Sequence, residues 1–147
     1  MQQQHGFTLV ELIIVIVILG ILAVTAAPKL IDISSDAKKA NYVALTAAIK
    51  SAAEMVRMKC MVDSGCDMNG NSSINVGGNV ILVKEGYPYY FHMGDVIVDS
   101  GEWERSTFLS TVYYFYPGSG DCVISYTMSF SDTSPSYNTT GAVDTCS

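Results

Sequence analysis

Glu11 is the one charged residue between positions 7 and 27, a stretch of 21 residues otherwise built from Leu, Ile, Val, Ala, Gly, Phe and Thr. A carboxylate at mid-depth in hydrocarbon costs a few kcal/mol, so it marks a functional site whose partner must be found. Glu11 lies only five residues into the run, where it can snorkel cheaply to a bilayer interface. The cost returns when the segment packs among other helices, away from water. Other groups able to do chemistry are sparse. The sequence holds no G-x-S-x-G, no H-E-x-x-H and no P-loop. His92 has nothing beside it in sequence to complete an acid/base set. Asp95, Asp99, Glu102 and Glu104 surround Trp103 but fit no EF-hand spacing, and read as a solvated acidic loop. Tyr87, Tyr89, Tyr90, Tyr113, Tyr114 and Tyr116 could stack on sugars, yet aromatics alternating along strands more often fill a core. No catalytic residue, metal site or cofactor is expected, and the chain is read as no enzyme. Asn71-Ser72-Ser73 and Asn138-Thr139-Thr140 match glycosylation sequons, patterns short enough to recur by chance.

The segment holding Glu11 is long enough to cross a membrane. At about 1.5 Å per residue, a helix over 7–27 reaches roughly 31 Å. A secretory signal peptide would carry a basic n-region and an apolar core of about 7–15 residues. Residues 1–6 contain no Lys or Arg, the run is longer, and Pro28 follows its small-residue end. A buried helix of a soluble domain would show polar punctuation, and 12–24 shows none. The first cysteine is Cys60, so the N-terminus is not lipidated through a thiol.

From 28 to 59 the apolar period is helical. Tyr42, Leu45, Ile49, Ala52 and Val56 recur at steps of three and four, marking a face buried against a core. A thinner strip of Ala37, Ala40, Ala44 and Ala47 or Ala48 would let another helix approach closely, though helix propensity explains it nearly as well. The joined helix would reach roughly 80 Å, more than one modest domain can cover, so its N-terminal half is expected to project. Pro28 lacks a helical N–H and Gly20 is conformationally permissive, giving two weak points at which the helix should kink or unwind. After Lys59 the period stops. Residues 63–73 read as a turn-rich linker, and strands are predicted over 79–84, 89–93, 111–116 and 122–130. They should form an antiparallel sheet over the Tyr42 to Val56 face, an α+β architecture. The tail, 131–147, has almost no apolar content and should wander unless Cys146 ties it back.

Charge is divided between these parts. Residues 29–59 carry six basic groups against three acidic ones, whereas 60–147 carry two against ten. A basic stem and an acidic head suit subunits that attract one another in an array, an attraction that salt weakens; a solvated surface explains the division about as well. An acidic head excludes nucleic acid as its expected partner. The four cysteines, Cys60, Cys66, Cys122 and Cys146, follow the membrane segment, as in an exported domain that meets an oxidising compartment. They lack C-x2-C spacing, which argues against zinc, and three disulfide pairings are open. Cys60–Cys66 with Cys122–Cys146 is favoured because each closes a local loop.

The run Gly6-Phe7-Thr8-Leu9-Val10-Glu11, with the apolar segment and Pro28 behind it, resembles the N-terminus of a type IV prepilin. The resemblance covers residues 6–30 and implies a class III signal. A prepilin peptidase would cut between Gly6 and Phe7 and the new terminal Phe7 would be N-methylated. Glu11 would serve filament assembly, and Pro28 would kink the helix. Unlike most leaders of that family, this one has no Lys or Arg. Orientation in the membrane therefore rests on the motif, because the nearest lysine, Lys29, lies on the far side. The stretches 18–28, Gly86-Tyr87-Pro88 and Cys122-Val123-Ile124-Ser125-Tyr126 are similar to the mannose-sensitive haemagglutinin pilins. The second disulfide likewise resembles the C-terminal loop of type IV pilins. The family implies a long helix whose apolar half projects and whose other half packs on an antiparallel sheet. It implies four parts: leader 1–6, membrane and polymerisation half 7–27, amphipathic half 28–59, and head 60–147. Expected partners are other copies of the chain in a helical filament, the prepilin peptidase/methyltransferase, an inner-membrane assembly platform, and lipid before assembly. The expected location is the inner membrane as precursor, with a periplasmic head, and then an extracellular pilus for attachment. Alternatives are a minor pilin or type II secretion pseudopilin and, from another class, a membrane-anchored sugar-binding domain.

Overall fold

The computed structural model describes residues 7–97, 100–117, 122–139 and 146, with only the backbone of 27–32. The chain divides into two compact units, Met1–Ala37 and Lys38–Ser147. The boundary falls inside the amphipathic half of the helix rather than at Pro28. Helix α1, Leu9–Val62, begins in the first unit and continues into the second. Through 12–24 it has no polar residue, and Leu9–Ala26 is long and apolar enough to cross a membrane. The helix runs unbroken through Gly20 and Pro28.

In the second unit α1 is followed by two antiparallel sheets, where the sequence suggested one. Strands β1, Asn71–Val76, β2, Asn79–Lys84, and β3, Tyr87–Pro88, form the first in that order. Strands β4, Glu104–Phe108, β5, Thr111–Phe115, β6, Val123–Thr127, and β7, Ser136–Asn138, form the second. Two-residue loops set the first registers: Val76 faces Asn79, and Lys84 faces Tyr87. Gly77, Gly78 and Gly86 supply the positive φ such loops require.

One helix face carries both sheets. Tyr42, Leu45, Ile49 and Ala53 share a core with Val112, Tyr114, Ile124, Tyr126 and Met128 of the second sheet and its flanks. Further along, Val56 and Cys60 pack with Ile74, Ile81 and Val83 of the first sheet. Ala53 is the fully buried small residue and Ala52 only borders the core, a one-residue drift from the expected stripe.

Three expectations are corrected. Residues 89–93 are not a strand: a 3-10 turn at Tyr90–His92 runs into helix α2, Met93–Val96. Tyr89 and Met93 are buried while Phe91 between them is exposed: a strand would set 89, 91 and 93 on one face, whereas a helical turn brings residues four apart to one side and turns the one between them away. The supposed linker already contains the start of β1 at Asn71, whose polar run is carried by pairing with β2. The last predicted strand is shorter, Val123–Thr127. Burial of Cys122, Ile124, Tyr126 and Met128 holds through its ends, but Phe130 is exposed. Strands β4 and β7 carried no apolar alternation to announce them. The tail is held by β7 and by Cys146, and Tyr137 packs its ring on Tyr126.

Candidate functional site

The N-terminus of α1 is built from Thr8 and Glu11. Thr8 is the residue before the helix and Glu11 the third within it, the spacing of a capping box. The Thr8 backbone N–H donates to Glu11 Oε2 at 2.9 Å and the Thr8 hydroxyl donates to the same oxygen at 2.8 Å. In return the Glu11 N–H donates to Thr8 Oγ1 at 3.3 Å, and the Leu12 N–H reaches the Thr8 carbonyl at 3.3 Å. Two of the backbone donors that a helix start leaves unpaired are thereby satisfied. The negative charge also sits at the positive end of the helix dipole. Both bonds from Thr8 end on one carboxylate oxygen, so Oε1 is left for a partner outside this box.

Thr8 is the capping partner of Glu11 that sequence reasoning passed over. Its signal was present: Thr-x-x-Glu directly before an apolar run. Phe7, next to the box, is 81% exposed, and every residue from 7 to 26 is exposed in the single chain. Gly6 lies outside the described residues. A Cβ at Gly20 would meet nothing within 4 Å, so the chain's own fold does not demand a glycine there.

The other candidates do not join this site. Cys60 bonds to Cys66 with Cα atoms 5.3 Å apart, and Cys122 to Cys146 with 4.9 Å. They are two separate staples in the second unit. The acids around Trp103 are split: Asp95 pairs with His92 Nδ1 at 2.8 Å, and Glu102 accepts from the Tyr116 hydroxyl. Asp99 lies outside the described residues. Among the described residues no cluster of three or more potential metal ligands forms. Of the tyrosines, Tyr87, Tyr89 and Tyr114 are core residues, and Tyr90, Tyr113 and Tyr116 are half-buried. The Tyr89 hydroxyl donates to Asn71 Oδ1 at 2.7 Å, which engages the asparagine of the first sequon.

With this geometry in view, comparison with known proteins is specific. Residues 1–27 match the family described as the prokaryotic N-terminal methylation motif. The chain carries that motif. Its capping box and its apolar helix both fall inside or directly continue the matched residues. Over 62 residues the chain is 44% identical to a type IV narrow pilus major component of Thermus thermophilus, covering 42% of this chain and 53% of that one. Over 54 residues it is 44% identical to a fimbrial protein of Pseudomonas aeruginosa, covering 37% and 35%. A type II secretion system core protein G of Klebsiella pneumoniae is 40% identical over 58 residues, 40% of this chain and 41% of that one. The chain thus spans about half or less of the length of these relatives. No solved structure matches it significantly. The long helix, the antiparallel sheets and the disulfides make a pilin-like α+β fold. The similarity is to structural, non-enzymatic proteins of the type IV pilin and type II pseudopilin class.

Proposed function

We propose that this chain is the subunit of a type IV pilus of the mannose-sensitive haemagglutinin kind. It would be inserted in the inner membrane, cleaved after Gly6, N-methylated at Phe7 and polymerised into a surface filament for attachment. The observation that carries this reading is an acid held by a capping box at the head of an uncharged membrane-length helix, within a matched methylation motif. In the monomer, Thr8 gives the carboxylate two donors and so lowers the cost of holding it in lipid. Cleavage would then expose the Phe7 amine, with an ordinary α-amino pKa of about 7.7–8.0, so it is charged near neutrality. Glu11 Oε1 would pair with that amine on an adjacent copy and draw each incoming chain to one axial register. Removing one partner of a buried ion pair costs roughly 3–5 kcal/mol, more than most surface contacts supply. Gly20 and Pro28 would serve as points where the packed helix can open when the filament is stretched.

The pseudopilin reading is favoured by one finding, the similarity to core protein G. Abundance separates the two, since a pilus subunit is the bulk protein of sheared surface fibres. The decisive first measurement is the mass of the mature N-terminus. Methylated Phe7 is the expected result, and an intact Met1 would refute the whole reading. Glu11→Ala should leave synthesis and cleavage of the precursor in place and abolish fibres or sharply reduce them.

A further inference from the structure

Strands β4 and β5 are joined by the two-residue loop Leu109-Ser110, with Phe108 facing Thr111 across the hairpin. Such loops need positive φ, which glycine adopts freely and a branched side chain resists. The β1–β2 loop uses Gly77 and Gly78, and the β2–β3 loop ends in Gly86. Glu85, ahead of Gly86, also has positive φ, but its carboxylate meets Lys84 at 3.5 Å within the chain. At the β4–β5 tip the residue at φ 53 is Leu109. Its side chain gains no burial in its own chain: Leu109 is 78% exposed and Phe108 beside it 65%. The rest of β4, Glu104, Arg105, Ser106 and Thr107, is exposed and polar, so the apolar surface of this edge strand is confined to its tip. A large apolar side chain kept in an unfavourable conformation and left in water points to a contact outside the chain.

At the other end of β4 is a groove to receive it. Asn41, Ala44, Leu45 and Ala48 of α1 form one wall and residues 100–103 the other, around a cavity of about 320 Å³. Its helical wall is low because alanines face it. Trp103 lines the groove, and the buried indole N–H of Trp103 has no hydrogen-bond partner among the described residues. Leu45, the two alanines and the indole ring give the groove a largely apolar lining, which suits the side chains of Phe108 and Leu109. Tip and groove are separated by one strand, about 17 Å at 3.4 Å per residue. Because they are different surfaces of one molecule, a contact between them is head-to-tail and repeats without closing unless its rotation happens to form a ring.

We infer that the Phe108-Leu109 tip docks into the groove between α1 and Trp103 on a second copy of this chain, a contact between heads additional to the one at Glu11. This inference rests on the filament reading above and names where neighbouring heads touch. The test uses the full-length chain with Ala48→Cys and Leu109→Cys, in cells whose wild-type chain makes fibres. The native cysteines are all disulfide-bonded, so a short bismaleimide added to sheared fibres reacts at the new thiols. Covalent ladders that need both substitutions are expected. Fibres that assemble but give no ladder, with the thiol at position 109 as reactive as in detergent-dispersed subunits, overturn the contact. A second variant, Phe108→Ser with Leu109→Gly, suits the turn better, and its head should melt no lower than wild type. Its fibre yield should fall about tenfold or more, as loss of two buried apolar side chains implies. Wild-type yield from this variant, beside fibre loss in Glu11→Ala, would remove the contact and leave the filament reading standing.

Discussion

In the proposed filament the two oxygens of the Glu11 carboxylate would carry separate duties. Oε2 accepts both Thr8 bonds, and in the proposed filament Oε1 meets the amine of a neighbour. The duties can be separated chemically, because glutamine also closes a capping box but carries no charge. Glu11→Gln should therefore be inserted and cleaved like the wild-type chain yet lose fibres almost as fully as Glu11→Ala. Immunoblots of precursor, mature chain and sheared fibres would report each step. Normal fibres from the glutamine variant would mean that capping, not ion pairing, is what assembly requires. Thr8→Ala is the complementary change: it removes the hydroxyl but keeps the backbone N–H, and should weaken the helix start by about 1 kcal/mol.

At the level of elements, α1 changes character along its length without changing conformation. Its first part is apolar all round, and its last part buries one face against two sheets through Tyr42, Leu45, Ile49, Ala53, Val56 and Cys60. The disulfides secure the places where that packing ends. Cys60–Cys66 fixes the exit from the helix, and Cys122–Cys146 fixes the tail beside β6. On the chain-entropy view the longer loop contributes roughly 3.5 kcal/mol and the shorter roughly 2.4 kcal/mol. Replacing Cys122 and Cys146 by Ser should lower the melting temperature more than replacing Cys60 and Cys66. Calorimetry on the full chain in detergent would check this, and the reverse order would show that the helix exit, not the tail, limits stability.

In the whole molecule the second unit contains a dense set of buried phenols. Burial pushes Tyr114 up to about 12 against a lowering influence from Arg105. Burial, aided by Glu54 and Tyr87, pushes Tyr137 up to about 12 and moves Tyr126 upward as well. The Tyr126 hydroxyl also donates to the Pro88 carbonyl at 2.6 Å, which an ionised phenol cannot do. An unfolded tyrosine ionises near pH 10, so between about 10 and 12 the unfolded chain binds fewer protons than the folded one. Stability from these residues is complete below that window and falls as pH rises through it. The head should unfold cooperatively there, with tyrosinate absorbance rising together with loss of near-ultraviolet circular dichroism. A graded titration of all the tyrosines near pH 10 in a still-folded head would contradict it. The basic stem and acidic head further predict that fibres dissociate more readily as salt rises.

Local and periodic features were legible without coordinates. The uncharged helix with its lone acid, the three-and-four spacing of the stem, and the regular runs of β2, β5 and β6 are each written in consecutive residues. Thr-x-x-Glu was legible too, since a capping box needs only four neighbours. The rest depended on long-range partners. Strands β4 and β7 are polar and exist because β5 and β6 offer them edges, while 89–93 turns helically because the core takes Tyr89 and Met93 and leaves Phe91 outside. The division into two sheets, and the isolation of Leu109 at a strained and exposed tip, follow from which residues meet across the chain. Period and composition describe one segment at a time, and those outcomes are set by the surface that a distant segment presents.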